Sequence, residues 1–228
     1  MREIILDTET TGLDPGDGHR IIEIACLELE SHIPTGRTYY TLIQPERDVP
    51  IEALRVHGLS AEKLAHAPLF ADIAKDFLNF IGEAPLVIHN AEFDLRFLNA
   101  EFARLGLQSL PPARGVDTIA LAKRRFPGAR YSLDELCRRF NIDLSGRTKH
   151  GAMIDAELLA QVYLELIGGR QARLQLSPGD VRGAVVALRP VRVRLVALPE
   201  RITAVELEAH ARFVAAELGP EAIWRLAS

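Results

Sequence analysis

Cysteine is nearly absent: Cys26 and Cys137 are the two in 228 residues. They lie far apart in apolar surroundings, with no CxxC pair and no Cys/His zinc spacing. That excludes a disulfide framework and a zinc module. Two inert, buried thiols are expected, in a reducing compartment such as the cytoplasm. No run of about 18 apolar residues occurs, so no membrane span is expected. The first ten residues, MREIILDTET, carry Arg2, Glu3, Asp7 and Glu9, which is not the pattern of a secretory signal. Positive charge is not in excess either: 27 basic against 31 acidic groups give a net charge of -4. A protein gripping nucleic acid by bulk charge would be basic, and that class is excluded. What is present is ordinary globular composition, 48% hydrophobic and 25% charged. This suits a core of normal size and excludes wholesale disorder.

Charge is unevenly spread. Residues 177–228 hold seven arginines and six acids, a net +1, which leaves -5 on residues 1–176. The change coincides with the breakers Gly168-Gly169 and Ser177-Pro178-Gly179, which mark a linker. The expected organisation is a domain over 1–170, a linker over 171–180 and a C-terminal region over 181–228.

β-Branched apolar runs predict strands over 3–7, 21–29 and 39–43, and a short buried strand over 86–88. Phe70, Ile73, Ala74, Phe77, Leu78 and Ile81 share one face of a predicted helix over 70–81. Asn90 is placed to cap a helix whose apolar face is Phe93, Phe97, Phe102 and Leu105. Ser132-x-x-Glu135 has the form of a capping box, opening a short helix that ends near Asn141. A last helix over 152–167 stops at Gly168-Gly169. In the tail, a strand over 191–198 is followed by a helix with a Thr203-x-x-Glu206 capping box, ended by Gly219-Pro220. Strands first, then helices alternating with short strands, give an α/β fold: a mixed sheet flanked by helices.

Four acids stand out. Asp7 and Glu9 are i and i+2 on the first strand, so both point to one face. Their repulsion is unfavourable unless a cation or proton intervenes, though two exposed acids at a strand end would look the same. Asp94 falls in the first turn of a helix, where it either complements the helix dipole or serves a site. Asp155 lies on an otherwise apolar, alanine-rich helix and needs a partner if buried. His150, five residues earlier, can reach the same place, and imidazole is the natural general base near neutral pH. All-oxygen carboxylate sites select hard cations such as Mg²⁺ or Mn²⁺. Two such ions suit phosphodiester hydrolysis.

The strings Asp7-Thr-Glu9-Thr-Thr-Gly12, His89-Asn-Ala-Glu-Phe-Asp94 and His150-Gly-Ala-Met-Ile-Asp155, in this order, resemble the DEDD superfamily of 3′→5′ exonucleases, in its histidine branch. Within it, Arg20-Ile-Ile-Glu-Ile24, Glu52-Ala-Leu-Arg-Val-His57, Tyr131-Ser-Leu-Asp-Glu-Leu-Cys137 and Arg147-Thr-Lys-His150 resemble the epsilon proofreading subunits of bacterial DNA polymerase III. The resemblance implies a ribonuclease-H-like fold with a mixed sheet of five strands. It implies that Asp7, Glu9 and Asp155 hold one divalent cation, that Asp7 and Asp94 hold a second, and that His150 activates the attacking water. Glu52 and His57 are implied contacts for the terminal nucleotide, with Thr10, Leu13 and Asn90 as further residues of the substrate cleft. The implied function is proofreading hydrolysis of a single-stranded or frayed 3′ DNA end, releasing 5′-mononucleotides. The implied partners are the polymerase alpha subunit, through the C-terminal region, and a small third core subunit. Gln171, Leu174 and Leu176 resemble a short sliding-clamp-binding motif. Two other readings remain open here: an RNA-trimming enzyme of the RNase T or oligoribonuclease type, and a catalytically silent scaffold between clamp and polymerase.

Overall fold

The structure, a computed structural model, describes residues 1–146, 150–168 and 202–218. Five strands form one sheet: β1 (Arg2–Thr10), β2 (Ile21–Glu30), β3 (Ile33–Leu42), β4 (Leu86–Ile88) and β5 (Gly115–Asp117). Their order is β3-β2-β1-β4-β5. β1 pairs antiparallel with β2, and β2 antiparallel with β3, while β4 runs parallel to both β1 and β5. This is the expected ribonuclease-H-like mixed sheet.

Among the described residues, seven helices surround it: α1 (Ile51–His57), α2 (Ala61–Leu64), α3 (Phe70–Ile81), α4 (Ala91–Arg104), α5 (Thr118–Arg125), α6 (Leu133–Phe140) and α7 (Ala152–Leu166). The period-2 alternation of β1 sends neighbouring residues to opposite faces. Ile4 and Leu6 join a core with Phe70 and Phe77 of α3 and Phe97 and Phe102 of α4. Ile5 joins a second core with Leu136 of α6 and Ala156, Leu159 and Val162 of α7. The central strands are covered on both faces, so that even Glu23 and Glu28 of β2 are buried.

Several boundaries differ from the sequence expectation. β3 begins at Ile33, six residues before the predicted strand. Its hairpin turns through Ser31 (φ 50) and His32 (φ 65), two left-handed residues that lack the usual Asn-Gly signature. Asn90 does not cap α4 through its side chain; it is itself left-handed (φ 70), and Phe93 N–H bonds its carbonyl at 2.9 Å. Leu105, expected in the core, is 38% exposed. Ser132 does accept from Glu135 N–H at 3.4 Å, but the Glu135 carboxylate turns to Arg138 at 2.7 Å, so only half of the capping box forms. Cys26 and Cys137 are buried, as expected.

The chain divides into two compact units, Met1–Leu174 and Gln175–Ser228. In the second, α8 (Ala204–Phe213) starts with both halves of the Thr203–Glu206 capping box. The clamp-like residues Gln171, Leu174 and Leu176, the predicted strand over 191–198 and the Gly219-Pro220 stop lie outside the described residues. Among the described residues, no helix is long and apolar enough to cross a membrane.

Candidate active site

Strand periodicity places Asp7 and Glu9 side by side at the end of β1, both half-buried. Thr8, between them, faces the other way and donates from Oγ1 to Asp94 Oδ1 at 2.7 Å. Asp94 belongs to the first turn of α4, on one side of the sheet, and Asp155 to the first turn of α7, on the other. Each is 4% exposed. At these positions the helix N-terminus favours a negative charge, yet neither acid is solvated.

His150 precedes α7, and its Nδ1 stands 3.2 Å from Asp155 Oδ2. Its backbone N–H reaches Val56 O of α1 at 3.3 Å, which joins the histidine loop to the helix carrying Glu52 and His57. Donor atoms of Glu9, His150 and Asp155 all lie within 4.8 Å of one another. Burial pushes the Asp7 carboxyl well above its ordinary range, and repulsion from Asp94, Asp155, Glu9 and Glu23 pushes it further. Burial likewise pushes Asp94 up to about 7, against the opposing hydrogen bond from Thr8. A cluster so unfavourable when ionised is what a cation site looks like before a cation is counted in. The donors are carboxylate oxygens with one imidazole nearby, which fits a hard divalent ion better than zinc.

Two clefts reach the acids, one at Glu9 and the other at Asp7 and Asp155. The larger, about 580 Å³, is lined by Glu9, Thr10, Leu13, Glu52, His57 and Phe93, among others. Its volume is in the usual range for a small-molecule site. The smaller, about 420 Å³, is lined by Asp7, His89, Ser132, Asp134, His150 and Asp155. Glu52 is exposed on the rim, whereas His57 is buried and accepts from Leu59 N–H through Nδ1 at 3.0 Å. The proton of its neutral ring is therefore on Nε2. Thr10 donates its hydroxyl to Gly12 O at 2.7 Å, so toward a ligand it can only accept. Asn90 lines neither cleft.

Sequence reasoning missed His19, Phe93, Asp134 and Glu23 as parts of this region. His19 lies against Gly12: a Cβ there would come within 2.3–2.4 Å of three ring atoms. The one signal was a glycine beside a threonine-rich turn, which has many explanations.

Comparisons with known proteins agree with this fold. A family model described as an exonuclease (RNase T) matches residues 4–163. The DNA polymerase III subunit epsilon of Rickettsia typhi is 47% identical over 219 residues, covering 94% of this chain and 96% of that one. The subunit of the same name from Salmonella typhimurium is 40% identical and covers 92% and 90% of the two chains. Among solved structures, the nuclease domain of 3′hExo, a DEDDh family member bound to rAMP, superposes with a TM-score of 0.63 at 20% identity, covering 73% of this chain and 91% of that one. Exonuclease X in complex with 5′ overhanging duplex DNA gives 0.56 at 24%, covering 72% and 90%. At these identities the two structures speak to the fold alone.

Proposed function

The chain belongs to the exonuclease family, and on that footing we propose that it is the 3′→5′ proofreading exonuclease of a bacterial replicative polymerase, using two divalent cations and a histidine base. The observation that carries this reading is the convergence of Asp7 and Glu9 from β1 with Asp94 and Asp155 from opposite sides of the sheet, beside His150. A silent scaffold would not need four converging carboxylates. Asp7, Glu9 and Asp155 would hold one ion, and Asp7 with Asp94 the other. When bound, such ions supply positive charge to the phosphoryl oxygens as the terminal bond breaks, and Mg²⁺ and Mn²⁺ both fit the donors.

The protein's own residues do the rest. Asp155 orients the His150 ring through Nδ1, leaving Nε2 as the basic nitrogen for a proton from the attacking water. The same carboxylate then stabilises the imidazolium that forms. Glu52, His57, Thr10 and Leu13 line the larger cleft, where the last nucleotide of a single strand would lie. A mispaired end costs less to unstack and so enters more readily, which is the basis of proofreading selectivity.

The two relatives named as polymerase III subunits match beyond the nuclease domain, over 94% and 92% of the chain. This supports a role for the C-terminal region, 181–228, in holding the alpha subunit. Such a tether raises the effective concentration of the nuclease at the primer end. Gln171, Leu174 and Leu176 would add a contact to the sliding clamp, and a small third subunit would complete the core. The test is Mg²⁺-dependent digestion of a primer with a mismatched 3′ end. Asp7→Ala and His150→Ala are each expected to lower the rate by about 10²-fold or more. Wild-type rates in either, with contaminating nucleases excluded, would sink the assignment; faster digestion of single-stranded RNA than DNA would favour the RNA-trimming reading.

A further inference from the structure

Asp155 and His150 can act together only if the start of α7 is held in one place against β1. Four N–H groups at the start of any helix lack partners within it. The residue before α7 is Gly151, which has no side chain to offer. The missing acceptor comes from another element. Glu23, on β2, is 5% exposed and sits directly opposite Glu9 in the strand pairing. Its Oε2 accepts from Ala152 N–H, the first residue of α7, at 2.9 Å. Its Oε1 accepts from Tyr40 O–H on β3 at 2.7 Å. At the far end of the same helix, Tyr163 donates to the buried Glu3 of β1 at 2.6 Å. Two buried carboxylates thus tie α7 to the sheet, one at each end, and of the two it is the Glu23 tie that lies beside the acids.

We propose that Glu23 is a positioning residue for hydrolysis: by capping α7 from β2, it fixes the distance of Asp155 and His150 from Asp7 and Glu9. The proposal rests on the reading of His150 and the four acids given above. Glu23 touches neither substrate nor the proton being moved. It acts through the helix start, in a charge-assisted bond that is stronger than a neutral cap. Displacing catalytic groups by about 1 Å can cost about 10²-fold in rate.

The experiment compares Glu23→Ala, Glu23→Gln, Tyr163→Phe and His150→Ala in the full chain, each shown to be folded by circular dichroism. Three quantities are read: kcat and KM on a single-stranded DNA oligonucleotide with Mg²⁺, Mn²⁺ affinity by calorimetry, and hydrogen exchange of the amides of residues 152–155. Glu23→Ala is expected to lower kcat by about 10–100-fold with KM nearly unchanged, to weaken Mn²⁺ binding and to speed exchange in the first turn of α7. Glu23→Gln keeps an oxygen acceptor and is expected to recover most of kcat. Tyr163→Phe loosens the far end of the helix and is expected to lower the melting temperature while keeping kcat. Wild-type kcat and Mn²⁺ affinity in Glu23→Ala overturn the proposal, and so does an equal loss of kcat in Tyr163→Phe, which would make the effect general loosening. Should Glu23→Ala not fold, Glu23→Asp takes its place, because it keeps the charge but falls one methylene short of Ala152. A kcat below that of Glu23→Gln supports the role, and an equal kcat overturns it. An active His150→Ala would instead refute the catalytic reading, independently of Glu23.

Discussion

Asp94 shows how one buried side chain records what the site is for. Burial pushes its carboxyl up to about 7, and Asp7 is pushed up as well, with repulsion from its neighbours added. A carboxyl whose value is raised on folding adds stability in its protonated form. That contribution is complete below the unfolded value, near 3.8, and is lost as the pH rises toward 7. Metal-free protein should therefore lose melting temperature as the pH rises from about 4 to about 7. Mg²⁺ or Mn²⁺ should restore it mainly at the higher pH. Scanning calorimetry of the wild type and Asp94→Asn checks this: the variant's melting point should depend less on pH, and an equally steep dependence would contradict the account. The pairing of Asp7 with Glu9 was legible in the sequence, because period 2 is a local rule. The acidity of Asp94 and Asp155 as first-turn residues was legible too. Their convergence was legible only from the three motifs taken together, since 86 residues separate Thr8 from the Asp94 that accepts its hydroxyl, and no local pattern encodes that contact.

Among the elements, α3 was legible through its periodicity, and β4 and α7 through apolar runs bounded by breakers. α3 buries Phe70, Ala74, Phe77 and Ile81 on one face, and its range matches the expectation. α1, by contrast, has seven residues and buries only His57, so it offers almost no apolar stripe to read, although it carries Glu52 and His57 to the cleft. The end of β1 has a similar subtlety. Its pairing with β2 shifts between Glu9 and Thr10, where β2 carries one extra residue, Ile22. The turn beyond it brings Gly12 against the His19 ring, where a Cβ has no room. Gly12→Ala should displace His19 from the wall of the larger cleft. The expected result is a destabilisation of about 1–3 kcal/mol together with a raised KM for single-stranded DNA. Denaturant melts and steady-state kinetics would show both; an unchanged KM would mean that His19 does not shape the cleft.

For the molecule as a whole, the acidic balance has a location and a reason. The net -5 of residues 1–176 includes the four converging acids, so divalent ions can offset much of it where the phosphate backbone must approach. On the proposed function, DNA would then be held through the site and the tether instead of a basic surface. Deleting residues 177–228 should leave digestion of free single-stranded DNA near wild type but abolish co-purification with the polymerase alpha subunit. Retained co-purification would refute the tether. The two cores have a further consequence. Asp94 is built on the core that joins β1 to α3 and α4, and Asp155 on the core that joins β1 to α6 and α7. During synthesis the ribosome delivers the first of these cores well before the second. A nascent chain shorter than 150 residues lacks both His150 and Asp155, and so holds three of the four acids and no base. The site is therefore complete only once the last helix of the domain has docked.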